Sequence, residues 1–213
     1  MDAVIFDFDG LILDTEWPAY LTAAEAYMTH GLELTIDEWV ERIGRGDNRP
    51  WTDRLAAHLP ELDLDEVDSL RRLRKNVLTD AEPLLPGVVE LLDVAAHIEM
   101  AVAVASSSPI EWVGRHLDRH GLTERFGAIR TRDHVERAKP WPDVFLAAAE
   151  ALEVEPARAI VFEDSVNGVI AAKAAGMFCV AVPNRLTLGG DFSEADLVVQ
   201  SLLDIDLHGL LVP

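Results

Sequence analysis

The chain has 213 residues, with 38 acidic against 18 basic side chains and a formal net charge of −20. A field of that sign repels nucleic-acid phosphates and anionic lipid surfaces, so neither is expected as a partner. No apolar run reaches the roughly 18 residues of a membrane span, and Asp2, Asp7 and Asp9 break up the N-terminal apolar stretch in a way that excludes a signal peptide.

Apolar residues make up 49% of the chain, enough to bury a substantial core. Ala3 to Phe6 reads as a short buried strand that ends in Asp7-Phe8-Asp9-Gly10. The next segment, 15–82, shows helical patterns and no strand. Within it Thr35 and Glu38 have the spacing of a capping box, and Leu64 to Leu78 reads as a helix rich in Arg and Lys. Pro83-Leu84-Leu85-Pro86-Gly87 reads as a return linker. Beyond it, apolar runs at Met100 to Ala105, Gly127 to Arg130, Ala159 to Phe162, Phe178 to Val182 and Leu197 to Val199 alternate with helical patterns. Those helices are expected at Pro109 to His120, Val144 to Leu152 and Ser165 to Ala175, with the tail from Ser201 to Leu211 as a last helix. Such alternation predicts an α/β fold: a Rossmann-like, doubly wound parallel sheet core of residues 1–14 and 83–213, with an inserted helical cap domain at 15–82.

Four polar features fall at the ends of these strands, the edge where open α/β sheets bind ligands. Asp7 and Asp9 are two residues apart, so both project to the same side, where they repel unless a cation or a shared proton intervenes. A hard cation such as Mg2+ suits such oxygen ligands. Asp7, ionised at neutral pH, can attack phosphorus without a base, and Asp9 can move the proton. The rival reading, a calcium loop, does not fit, because the apolar Leu11-Ile12-Leu13 follows at once. Ser106 and Ser107 stand before Pro109 at a helix start, where hydroxyls and backbone N–H groups cradle a phosphate; a plain helix cap is the simpler alternative. Lys139, beside Pro140, offers a fixed positive charge or an ordinary turn. Glu163 and Asp164 end a buried strand, where adjacent acids are costly without a cation, although an acidic helix start has the same appearance.

Asp7-Phe8-Asp9-Gly10, Ser106, Lys139 and Phe162-Glu163-Asp164-Ser165-Val166-Asn167-Gly168, taken in order, resemble the haloacid dehalogenase superfamily, in its β-phosphoglucomutase-like subgroup. The resemblance spans essentially the whole chain. It implies a phosphatase with Asp7 as nucleophile and Asp9 as acid/base, with Ser106 and Lys139 on the phosphate. It also implies Mg2+ held by Asp7, the carbonyl of Asp9 and Asp164, with Glu163 helping. The expected substrate is a small phosphorylated metabolite, a sugar or polyol phosphate, hydrolysed through an aspartyl phosphate by a monomer.

The rival activity is a phosphosugar mutase. The mutases of this subgroup carry a cap histidine shortly after the first motif, and the stretch Asp14 to Tyr20 has none. A catalytically inactive binding module is the remaining alternative, at odds with the complete set of residue types. In the insert, Arg45 and Arg49 of Gly44-Arg45-Gly46-Asp47-Asn48-Arg49 are candidates for a second anionic group, as loop arginines or as ligands. The basic run Arg71, Arg72, Arg74 and Lys75 is expected to be mostly solvated, with one member as a candidate to reach the site. His116 and His120 lack the acidic partner of a metal motif and are expected at a helix surface. Cys179, the single cysteine, sits in an apolar run; it excludes an intrachain disulfide and points to a buried thiol and a cytoplasmic location.

Overall fold

The computed structural model describes residues 1–44 and 50–211. Six strands form one parallel sheet: β1 (Ala3–Phe6), β2 (Ala101–Ser106), β3 (Ala128–Thr131), β4 (Ala159–Glu163), β5 (Phe178–Ala181) and β6 (Leu197–Val198), in the spatial order β3-β2-β1-β4-β5-β6. The chain winds outward from β1 in one direction, then crosses to its other side for β4. The polar strand ends flank that switch point, where a crevice opens in such sheets. Phe6 pairs with Val104 on one side and Phe162 on the other. Asp7, Ala105 and Glu163 therefore stand at one level, just past the last pairs that β1 makes with its neighbours.

Alternation along the strands divides the core between two faces. Val4, Phe6, Val102, Val104, Ile160 and Phe162 point to one face, under α5 (Val88–His97) and α6 (Ile110–Arg119). Ala3, Ile5, Ala103, Ala105 and Val161 point to the other, under α7 (Asp143–Ala151) and α8 (Val166–Ala174). The second face is built largely of alanine on both sheet and helices, so those helices lie close to the strand ends.

Between β1 and α5 the described residues hold four helices and no strand of the sheet: α1 (Glu16–Thr29), α2 (Ile36–Val40), α3 (Asp53–His58) and α4 (Leu64–Ala81). The expected capping box at Thr35 and Glu38 is formed in full. This block has its own apolar cluster of Ala23, Tyr27, Leu34, Trp39, Ile43 and Leu55, which Leu186 joins from the loop after β5. The chain leaves and re-enters the sheet side by side: Leu13 bridges to Leu84, and the Leu85 N–H donates to the Ile12 carbonyl at 3.0 Å.

Three sequence expectations need correction. The tail forms two short 3-10 turns, Leu202–Asp204 and Gly209–Leu211, in place of a helix. His116 is fully buried against the Trp112 ring, with ring centroids 4.3 Å apart, and is not on a surface. Helix α5, for which the sequence reading made no provision, follows directly on the return linker. Cys179 is buried and free as expected, and no described helix is long and apolar enough to cross a membrane.

Candidate active site

Asp7, Lys139 and Glu163 meet in the interior at the switch point. The Lys139 ammonium contacts the Asp7 carboxylate, donates to Glu163 Oε1 at 2.6 Å, and donates to the Ala105 carbonyl at 2.9 Å. Lys139 is 1% exposed and Glu163 is fully buried. Burial opposes the charge on Lys139, but Asp7 and Glu163 together outweigh it and hold its pKa above the ordinary value. Asp164 lies beside this trio and accepts from Asn184 Nδ2 at 2.6 Å. Burial pushes the carboxyls of Asp7 and Asp164 well above the usual carboxylate range. The neighbouring acids add to both shifts, and Lys139 opposes them.

Oxygen atoms of Asp7, Glu163 and Asp164 all come within 4.8 Å of one another. Three buried carboxyls share one ammonium, so the cluster holds more acid than base. This donor set fits a small divalent cation with oxygen ligands. Two glycines make the cluster possible. A Cβ on Gly10, whose φ is +83°, would stand 2.3 Å from Asp164 Oδ2, and one on Gly168 would stand 1.9 Å from the Glu163 carboxyl. Gly168 thus makes room for a carboxylate of the cluster itself.

Asp9 is oriented by four donors. Its Oδ1 accepts from the Thr15 hydroxyl at 2.8 Å and from Trp112 Nε1 at 2.9 Å. Its Oδ2 accepts from Ser106 Oγ at 3.1 Å and Ser108 Oγ at 2.6 Å. Ser106 is buried behind the loop, and the Ser108 N–H donates to its hydroxyl at 3.0 Å. Ser107 and Ser108 form the open wall. Ser107 Oγ also reaches the Gly44 carbonyl of the helical block at 3.4 Å.

A cavity of about 270 Å³ lies between the strand ends and the helical block. Asp7, Asp9, Ser107 and Ser108 line its floor, with Glu16, Trp39, Arg42 and Arg71 among the groups above. A second space of about 250 Å³ adjoins it, bordered by Asp9, Glu16, Lys75 and Trp112. Of the basic run on α4, Arg71 faces the first cavity and Lys75 the second, so two members reach the site where the sequence reading allowed for one. Arg45 and Arg49 lie outside the described residues. No local pattern pointed to Thr15, Trp112 or Asn184, because their roles depend on segments far apart in the chain meeting at Asp9 and Asp164. Glu16 carried a faint signal: it is an acid on the first turn of the helix that follows the Asp7 motif.

The model of the haloacid dehalogenase-like hydrolases matches residues 1–176. The chain belongs to that family. YhcW of Bacillus subtilis is 41% identical to it, across 98% of this chain and 96% of that protein. Hexitol phosphatase B of Escherichia coli K12 is 30% identical, across 98% and 96%. Among solved structures, CbbY from Rhodobacter sphaeroides in complex with xylulose-(1,5)bisphosphate superimposes with a TM-score of 0.81 at 27% identity, covering 99% of each chain. These haloacid dehalogenase-like relatives and the strand-end site together make the chain an enzyme, a phosphatase of this family.

Proposed function

We propose that this phosphatase hydrolyses a sugar or polyol phosphate, with Asp7 as nucleophile. The observation that carries the reading is the buried contact of Asp7 with Lys139 on the floor of a cavity roomy enough for a small phosphorylated metabolite. A carboxylate oxygen of Asp7 attacks phosphorus, and the bond from phosphorus to the ester oxygen breaks. Asp9 gives a proton to that departing oxygen. The aspartyl phosphate on Asp7 is then attacked by water, whose proton Asp9 takes up, and inorganic phosphate leaves with the Asp7 carboxylate restored. Lys139 stays charged throughout and offsets the negative charge that builds on the phosphoryl oxygens. Ser107 and the backbone N–H groups at the start of α6 hold the phosphoryl group, with Ser106 supporting that loop from behind.

Asp7, Asp164 and the carbonyl of Asp9, assisted by Glu163, would hold Mg2+, which when bound supplies positive charge beside the phosphoryl group. The helical block at 15–82 serves as a cap over the reacting atoms and keeps bulk water out. The names of the hexitol phosphatase and of the Streptomyces hygroscopicus validoxylamine A 7'-phosphate phosphatase, 31% identical across 94% of this chain, support a carbohydrate-like substrate.

The test is phosphate release from a panel of sugar and polyol phosphates with Mg2+, for the wild type and Asp7→Asn. The wild type is expected to release phosphate, and the variant to fall by at least about 10³-fold, the scale of losing a nucleophile. An unchanged Asp7→Asn variant defeats the mechanism. Conversion of β-glucose 1-phosphate to glucose 6-phosphate without free phosphate would make the chain a mutase instead.

A further inference from the structure

The two oxygens of Asp9 have partners of different kinds. Oδ1 accepts from the Thr15 hydroxyl and from the Trp112 indole N–H at 2.9 Å, and Oδ2 accepts from the hydroxyls of Ser106 and Ser108. An indole N–H donates and never accepts, whereas a serine hydroxyl rotates to do either. A proton on Oδ1 would have to compete with two donors for its lone pairs, while a proton on Oδ2 finds hydroxyls that can accept it. The partners also differ in place. Thr15 and Trp112 border the second space, and Ser108 also borders the first, which Asp7 lines. Trp112 is itself held from two directions. Its ring stands against the imidazole of His116, a fully buried ring that makes no hydrogen bond of its own, with the two planes 73° apart. The Lys75 ammonium of α4 lies 3.7 Å from the Trp112 ring centroid. A cation over an indole face is attracted to the ring electrons, and by drawing on them it makes the N–H a better donor, as linked polar groups strengthen one another.

We propose that Trp112 is a positioning residue that decides which oxygen of Asp9 moves the proton. The indole N–H, with the Thr15 hydroxyl, keeps Oδ1 as an acceptor, so the proton is carried on Oδ2, the oxygen beside the wall of the Asp7 cavity. In the first half of the reaction that proton passes to the ester oxygen as its bond to phosphorus breaks. In the second half Oδ2 takes a proton from water as the water oxygen bonds to phosphorus and the Asp7 carboxylate departs. Lys75 strengthens the hold on Oδ1 through the ring. The assignment rests on the phosphatase reading and adds to it a residue that touches neither substrate nor the reacting atoms.

The experiment measures kcat/KM for sorbitol 6-phosphate and for 4-nitrophenyl phosphate, with Mg2+ present. The proteins are the wild type, Trp112→Phe, Lys75→Met, and Asp9→Asn with and without Trp112→Phe. An alkoxide needs a proton in order to depart and 4-nitrophenolate does not, so a misplaced Asp9 proton lowers the ratio of the first kcat/KM to the second. Trp112→Phe keeps a ring beneath Lys75 and removes the N–H; it is expected to lower that ratio about tenfold, part of what a placed general acid contributes. Lys75→Met keeps the stem and removes the charge, and is expected to lower the ratio by a smaller factor. In the Asp9→Asn background Trp112→Phe is expected to change it by less than about twofold, because the residue acts through Asp9. Equal losses on the two esters would show a merely structural role and overturn the assignment, as would a full loss that persists in the Asp9→Asn background. Lys75→Met decides the matter if Trp112→Phe does not fold, and an unchanged ratio there overturns the assignment. A wild type that releases phosphate from neither ester overturns the phosphatase reading and this assignment with it, whereas an active wild type with equal losses in the variants overturns the assignment alone.

Discussion

Asp9 accepts from Thr15, Ser106, Ser108 and Trp112, so both its oxygens are engaged before any substrate arrives. In the proposed role of proton carrier, Asp9 must exchange at least one of these donors for the departing oxygen. Side-chain placement here is a balance among competing partners, and Glu16 shows its cost. Its pKa is about 7 in the folded chain against an ordinary 4.5, chiefly through burial. Between those values the folded state binds more protons than the unfolded one, so stability falls as pH rises from 4.5 through 7 and levels off above. Glu16→Gln, which carries no charge at any pH, is therefore expected to melt higher than the wild type at pH 8, by up to about 3 kcal/mol of stability. The gain should shrink to nothing near pH 4.5. Melting curves of both proteins across this range check it; a gain that is independent of pH would contradict the burial of an ionised Glu16. Nothing in the sequence showed this, since an isolated Glu after Asp14-Thr15 reads as an ordinary acidic helix start.

Strands and the loops behind them were the most legible elements. A parallel strand covered on both faces is a short continuous apolar run, and Ala3–Phe6, Ala101–Ser106 and Ala159–Glu163 all have that form. The acids and hydroxyls that end them stood out against it. Helix α5 did not, because its Val88-Val89-Glu90-Leu91-Leu92 start follows a proline-rich linker and lacks a polar cap; Gly87 precedes it instead, in the left-handed conformation. The tail misled in the opposite way: Ser201 and Asp204 form a genuine capping box, but only one 3-10 turn follows it. The least legible element is the first turn of α8, which must pass over the Glu163 carboxyl. Gly168→Ala would set a Cβ 1.9 Å from that carboxyl, in a wall that cannot retreat without moving Lys139. The variant is expected to lose about 1–3 kcal/mol of stability, as overpacked sites do, and to lose phosphate release more steeply than Ala substitution at an exposed α8 position. Chemical denaturation and kinetics on the same preparations test this, and a fully active, equally stable variant would contradict it.

On the scale of the whole molecule, the excess of acid has a focus. Asp7, Glu163 and Asp164 crowd three buried carboxyls around one ammonium, and a divalent cation that replaces the protons held there should stabilise the chain. At a hundredfold excess over its dissociation constant, Mg2+ is expected to add about 2.7 kcal/mol, which for a chain of this size is roughly 5–10 °C in melting temperature. Asp164→Asn should reduce that increment strongly, and a melting temperature unmoved by Mg2+ in the wild type would remove the cation from the site. The division of labour between sheet and helical block was visible in the sequence as a change from alternating elements to helices alone. The cavity between them was not, because Glu16, Trp39 and Arg71 come from three helices whose packing no local pattern specifies.

The chain departs from the sheet and rejoins it at neighbouring points, where Leu13 bridges to Leu84. Among the described residues no strand pairing passes through the intervening helices, so their residues can be rewritten without disturbing the register that aligns Asp7 with Glu163. On the proposed mechanism, a lineage built on this plan can change its diet while keeping its teeth: new food is accommodated by revising one excursion of the polypeptide, and the carboxylate proposed to react never has to be rediscovered.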